Sequence, residues 1–234
     1  MPATAPDPAD DRSPDSADDR SPDSAAGAPA PAPAPAPAVG PVTRALPAPV
    51  PLATGPRTVI RALTPGDGAE FTAGARASTG LHRPWLFPPR TDRAYEEYAD
   101  RLIEDPARAG LLVLERASGR IAGFININNI VAGAFRGGAL GYGAFAHAAG
   151  RGLMGEGLSL VLRYAFGPLG LHRLEANVQP GNTASIALVR RAGFRLEGFS
   201  PDFLHIDGAW RDHERWAITS DMLPPDGRAE VRRA

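Results

Sequence analysis

Alanine and proline alternate from Ala28 to Ala38, shortly after an eight-residue repeat, ADDRSPDS, that fills Ala9 to Ser16 and again Ala17 to Ser24. Such a stretch has too little apolar side chain to offset the entropy of ordering it, so it cannot contribute to a core. The acidic repeat is expected as solvated coil and the Ala-Pro run as a semi-rigid polyproline II spacer. Folding is thereby confined to the chain beyond this stretch. We expect a disordered leader over residues 1–55, one domain over 56–223 and a disordered tail over 224–234, the middle part being the size of one ordinary domain.

Up to Gly55 there are seven Asp against three Arg, so the rest of the chain carries +3 of the formal total of −1. A mildly basic domain suits an anionic cofactor, yet it is far from the balance of a nucleic-acid binder and contains no long basic run. All 25 basic residues are Arg, which reflects composition and not function. The absence of Cys excludes disulfides, thiolate metal sites and a Cys nucleophile. The five histidines show no H-x-x-x-H spacing, so no metal is expected, and His172 and His213 read as structural hydrogen-bonders. No run reaches about 18 apolar residues, and the N-terminus lacks the basic and apolar segments of a secretory signal. A cytoplasmic protein with no membrane contact is the resulting expectation.

Within the domain, Thr58 to Leu63 reads as a strand and Pro65-Gly66-Asp67-Gly68 as a turn into a helix running toward Ser78. The three prolines of LHRPWLFPPR, Leu81 to Arg90, rule out regular helix there. Asp92 to Glu104 has helical periodicity. Leu111 to Arg116 and Arg120 to Ile130 read as a hairpin, and Ala139 to Ala146 as the next strand. A helix from Gly152 to Phe166, a strand from Arg173 to Val178 and a helix from Asn182 to Ala192 come after it. Strands near Arg195 to Ile206 and Trp210 to Thr219 complete the order, with Trp210 and Trp216 expected on one face, in the core or at a dimer surface. The pattern implies a mixed sheet flanked by helices, an α/β (α+β) class.

Two segments carry chemistry. Between a strand and a helix lies AAGRGLMGEG, Ala148 to Gly157, whose glycines let backbone approach a ligand and whose helix-start N–H groups would bind phosphate, with Arg151 adding a charged donor. Taken alone it equally describes a tight connection. The chain has no Gly-Lys-Ser/Thr and no dinucleotide-binding βαβ unit, so a pyrophosphate held there points toward coenzyme A. The second segment, PGNTAS from Pro180 to Ser185, opens a helix for which Asn182 suits the N-cap and Gly193 the position past the end.

Together these segments resemble the GNAT superfamily of acetyltransferases. LGYGAFAHAAGRGLMGEG (140–157) is similar to its fourth strand and pyrophosphate loop, and VQPGNTASIALVRRAGFRLEG (178–198) to its fifth strand, following helix and next strand. HRLEANVQPGNTASIALVRRAGF (172–194) with FLHIDGAWRDHERWAI (203–218) resembles the RimJ/RimL branch, which acetylates protein N-terminal amines such as those of ribosomal proteins. ININNIVAGAF (125–135) and HRPW (82–85) resemble the RimJ side. The loop departs from the superfamily pattern, with Ala149 and Met154 where Arg or Gln and a small residue are usual.

The resemblance implies a mostly antiparallel sheet splayed between the strands carrying Tyr142 and Leu174, with acetyl-CoA as cosubstrate in the opening. It implies cofactor contacts from Tyr142, Ala144, Gly150, Arg151, Gly152, Leu153, Met154, Gly155 and Asn182. A neutral amine would attack the thioester directly, a backbone donor near Ala144 stabilising the carbonyl oxygen. Ser185 falls where its hydroxyl could meet the departing thiolate, or it simply bonds the helix backbone. Glu197, Asp202 and Glu175 stay open as bases, Glu197 being carried forward as the candidate. Trp85, Phe87, Asn126 and Asn129 are candidates for the acceptor cleft, with core packing as the alternative for the aromatics. The acceptor is expected to be a protein N-terminus or a small amine such as an antibiotic or polyamine; a non-enzymatic acyl-CoA-binding regulator is the competing reading. Monomer and homodimer both remain open.

Overall fold

A computed structural model describes residues 49–223. The expected C-terminal tail and residues 1–48 of the expected leader lie outside the described residues. The remaining leader residues join the fold: Ala53–Thr54 form strand β1, antiparallel to β2, Thr58–Ala62. The order continues as a 3-10 turn at Pro65–Asp67, α1 (Gly68–Ala77), α2 (Thr79–His82), α3 (Asp92–Glu104), β3 (Ala109–Glu115), β4 (Ile121–Val131) and β5 (Gly137–Ala144). After a 3-10 turn at Ala146–Ala148 come α4 (Leu153–Phe166), β6 (Arg173–Val178), α5 (Thr183–Arg191), β7 (Arg195–Ile206) and β8 (Ala209–Thr219).

The eight strands form one sheet in the order β1-β2-β3-β4-β5-β6-β8-β7, antiparallel at every junction except β5–β6. Strand alternation distributes side chains to two cores. Ile60, Leu111, Val113, Ile125, Leu174 and Ala176 face α4 and α5, where Leu158, Val161, Leu162 and Val189 meet them. Leu112 and Phe124 face the other way, against Phe71 and Ala75 of α1 and Tyr95, Ala99 and Leu102 of α3. The Tyr95 hydroxyl donates to the Thr64 carbonyl at 2.8 Å, giving that buried phenol a partner.

The parallel junction creates the opening. β5 and β6 pair only from Gly137 opposite Arg173 to Leu140 opposite Ala176, while β5 runs on to Ala144 and β6 to Val178. On its other edge β5 remains paired with β4 as far as Ala144 opposite Gly123. The Phe145 N–H donates to the Ala122 carbonyl at 2.8 Å, marking a bonded pair. Bonded and non-bonded pairs alternate along an antiparallel ladder, so the backbone groups of Tyr142 and Ala144 face away from β4, toward the gap beside β6.

Trp210 and Trp216 do not share a fate. Trp216 is 4% exposed in the core, whereas Trp210 is 61% exposed. Trp216 lies where β8 is flanked by β6, opposite Ala176, whereas Trp210 lies beyond the stretch that β6 covers, Glu214 to Thr219, and has only β7 beside it.

Candidate active site

A cleft of about 720 Å³ fills the gap, lined by Tyr142, Gly143 and Ala144 of β5, the loop from Ala148 to Gly155, and the first two turns of α5 from Asn182 onward. Gly150 and Gly152 adopt φ of 72° and 77°, the left-handed region that favours glycine, and they turn the chain so that α4 begins pointing into the cleft. The first backbone bond of α4 runs from the Glu156 N–H to the Gly152 carbonyl at 3.2 Å. The N–H groups of Gly152, Leu153, Met154 and Gly155 therefore stand ahead of the helical ladder as donors for an anion, with the helix dipole behind them.

This helix start is fixed by Glu156. Its Oε1 accepts from the Arg57 N–H at 2.7 Å, and from the Thr58 N–H and hydroxyl at 2.9 Å each. Burial pushes the Glu156 carboxyl up, but these bonds outweigh it and hold it below its usual range, so it stays ionised. The leading edge of β2 thereby holds α4 in place, and Arg57 Nη1 also donates to the Arg151 carbonyl at 3.0 Å.

At the other wall Asn182 caps α5, its Oδ1 accepting from the Ser185 N–H at 3.1 Å. The Ser185 and Tyr142 hydroxyls meet at 2.5 Å. Burial pushes the Tyr142 phenol up to about 12, so it is protonated at neutral pH. Trp85 closes the mouth: its ring lies so near Gly181 that a Cβ there would come within 3.0 Å of it.

A second space of about 470 Å³ opens among Leu86, Pro88 and Pro89, α3 and β4–β5, and meets the cleft at Leu86 and Tyr142. Its floor is open because β5 places Gly141 opposite Asn126. Asn126 is buried, and its Nδ2 donates to the Tyr98 hydroxyl at 2.7 Å.

Sequence comparison places both lobes of this pocket largely within one matched segment. The acetyltransferase (GNAT) domain family matches residues 57–195. The chain belongs to this family. In Escherichia coli K12 a [ribosomal protein uS5]-alanine N-acetyltransferase is 42% identical over 105 residues, covering 45% of this chain and 54% of that protein. The match thus spans about half of that relative's length. RimJ of Mycobacterium smegmatis in complex with CoA-disulfide superposes with a TM-score of 0.68 at 28% identity, over 73% of this chain and 86% of that one. The Vibrio cholerae spermidine N-acetyltransferase in complex with CoA and spermine shares the fold, with a TM-score of 0.63 at 21% identity over 72% and 98% of the two chains.

The GNAT cleft takes in most of the expected residues and leaves out several. Tyr142, Ala144, Gly150, Gly152, Met154, Gly155, Asn182, Ser185 and Trp85 line it, while Asn126 and Phe87 line the adjoining space. The Leu153 side chain is buried in the core, leaving only its N–H for the loop. The Arg151 guanidinium is engaged by Glu115, so the charge expected over the cleft is already paired. Asn129 is exposed, with φ of 52°, at the irregularity where the β4–β5 register shifts, and it is no part of the floor.

Glu197 is displaced most clearly. It lies on β7, two strands from the cleft, where its carboxyl receives Arg173 Nη1 at 3.1 Å and Nη2 at 2.5 Å. The Arg173 guanidinium holds it below the usual range, the opposite of what a base needs. Glu175 is bound by Arg173 and Arg215 at 3.0 and 2.9 Å, and exposed Asp202 presents only its N–H, to Asp212, at 2.9 Å. None of the three carboxylates lines either space.

Among the lining residues that the sequence put forward for no role is His82. His82, 2% exposed, ends α2 with its Nε2 2.7 Å from the Ala144 carbonyl. In the sequence it stands within the proline-rich stretch 81–90 and opens HRPW, with nothing there to say what its ring would bond. Among the described residues no three His, Asp or Glu side chains gather as a metal site.

Proposed function

We propose that this GNAT-family protein transfers the acetyl group of acetyl-CoA to an amine, and that the amine is the N-terminal α-amine of a protein. The observation that carries the reading is the gap beside β5. It exposes a strand edge at Tyr142 and Ala144, ends at one side on the free N–H groups of Gly152 to Gly155, and at the other on the Asn182 cap. Those groups fit a diphosphate joined to an amide-bearing arm: the loop donors suit the diphosphate, and the strand edge suits the amides. Acetyl-CoA supplies the acyl group as a thioester.

The residues of this chain then have separable tasks. The Ala144 N–H, aimed into the gap, is a donor for the carbonyl oxygen as it gains charge. The Tyr142–Ser185 hydroxyl pair stands at the junction of the two spaces, and its phenol keeps its proton for a leaving thiolate. No side-chain carboxylate is needed as a base, because an α-amine of pKa about 8 is partly neutral near neutral pH.

The adjoining space favours a peptide end over a polycation. Glu97 and Arg101 supply one charge of each sign, and Glu97 is shared with Arg93 at 3.1 Å. Such a lining sets up no field for several ammonium groups. The 42% identity to an enzyme named for the alanine of ribosomal protein uS5 supports the same class of acceptor.

The test is transfer of labelled acetyl from acetyl-CoA to peptides beginning with Ala or Ser, run beside spermidine and other small amines. The expected result is label on the peptide α-amine at a higher kcat/KM than on any small amine. Preference for small amines overturns the acceptor, and absence of transfer to every amine overturns the reaction.

A further inference from the structure

Three residues at the exit of β5 are gripped from the opposite face of the sheet. His82 Nε2 bonds the Ala144 carbonyl at 2.7 Å, and the Ala146 N–H donates to Ser78 Oγ at 2.8 Å. Ser78 in turn donates to the Gly74 carbonyl at 2.6 Å. Between these bonds the Phe145 ring sits over Gly74, so close that a Cβ there would lie 2.6 Å from it. The α1–α2 junction thus holds the backbone immediately before the phosphate loop at two points, and both side chains are buried.

The Ala144 carbonyl can only accept, so Nε2 carries the proton and the ring is held in that tautomer. Nδ1 is then a lone-pair nitrogen, buried with no hydrogen-bond partner among the described residues. Burial lowers the imidazole pKa from its ordinary value, opposed in part by the Ala144 bond, so the ring is neutral at physiological pH. A neutral donor of fixed tautomer adds direction without adding charge beside the cleft.

We propose that His82 is a positioning residue: by holding the Ala144 carbonyl it fixes the Ala144–Phe145 peptide and so limits rotation about the Ala144 Cα, keeping the N–H on the other side of that Cα aimed at the reacting carbonyl, and it ties that aim to the loop bearing Trp85 and Phe87. The inference rests on the acetyl-transfer reading above. Its consequence falls on the transition state, where the oxygen becomes an anion, and not on ground-state binding through loop 150–155 and Asn182.

The test compares the full-length wild type with His82→Leu, His82→Gln and His82→Asn, measuring kcat, the KM of the acceptor and acetyl-CoA binding by calorimetry. Wild-type turnover checks the underlying reading separately, since without it the reaction itself is wrong. For His82→Leu, kcat falls about 10- to 100-fold, short of the loss from deleting such a donor outright, while acetyl-CoA affinity stays within about twofold. The Gln amide nitrogen lies as many bonds from Cα as Nε2 does, so His82→Gln recovers most of kcat. The Asn amide reaches only the Nδ1 position and stays low. Calorimetry also reports folding; should His82→Leu fail to bind acetyl-CoA, the Gln and Asn variants decide. Full kcat in His82→Leu, or equal kcat in Gln and Asn, overturns the proposal.

Discussion

Tyr142 and Ser185 come from a strand and a helix on opposite sides of the cleft, and their hydroxyls meet at 2.5 Å. Because the pair acts as a unit, removing either hydroxyl should remove most of what both contribute. We expect Tyr142→Phe and Ser185→Ala each to lower kcat about 10- to 100-fold, with the double variant near the worse single one; a multiplicative loss in steady-state kinetics would show independent roles. The phenol is pushed up to about 12, so it does not titrate in the working range. The kcat/KM should therefore rise as pH rises through about 8, following release of the proton from the acceptor amine. The same limb should persist in Tyr142→Phe. For Glu197 the expectation is the reverse of the one its place after the second motif suggests: Glu197→Gln should keep kcat within about twofold, because its carboxyl is tied to Arg173 away from the cleft. The sequence offers the residue type and the motif distance but not the partner. That a guanidinium on β6 would claim this carboxylate depends on the β6-β8-β7 order, which no local pattern encodes.

At the scale of elements, Glu156 shows how a helix start becomes a binding site. Three donors from Arg57 and Thr58 converge on one carboxylate oxygen, and Thr58 is fully buried. Glu156→Ala would leave those backbone N–H groups without an acceptor. The expected loss is about 2–4 kcal/mol in a denaturant melt, together with weaker acetyl-CoA binding as α4 loses its anchor; an unchanged midpoint would mean that water replaces the carboxylate. Elements with a repeating pattern or a cap were legible in advance. α3 spans Asp92–Glu104 and β6 spans Arg173–Val178, as periodicity placed them, and Asn182 caps α5. Elements set by tertiary contact were not. β1 is two residues long and exists because β2 offers it an edge, while the β4 irregularity turns Asn129 outward. α2 is a single turn whose worth lies in where it delivers His82.

Across the whole molecule, the expected boundary at residue 55 cuts through the fold. Gly55 and Pro56 supply carbonyls to Arg116 Nη1 at 3.0 and 3.2 Å, and Ala53–Thr54 pair with Val59 and Ile60. Deleting residues 1–48 should leave acetyl transfer within about twofold, since neither motif lies there, whereas deletion through 55 should also lower the melting temperature, because the β1–β2 pairing and the charge-assisted bond to the Gly55 carbonyl are lost. Equal melting temperatures for the two truncations would remove β1 from the account. The class of fold and the two cofactor-facing loops could be read from glycine placement and capping, because backbone chemistry at helix starts is local. The second space could not, because it depends on Gly141 of β5 lying opposite Asn126 of β4, a matter of register.

The central claim is that main-chain N–H groups of one cleft hold the acyl donor. Amide resonances followed by nuclear magnetic resonance during titration with acetyl-CoA test it directly. The account predicts that the signals of Tyr142, Ala144, Gly150 and Gly152 to Gly155 move first and furthest. Saturable binding with those amides unmoved and shifts clustered elsewhere would contradict it.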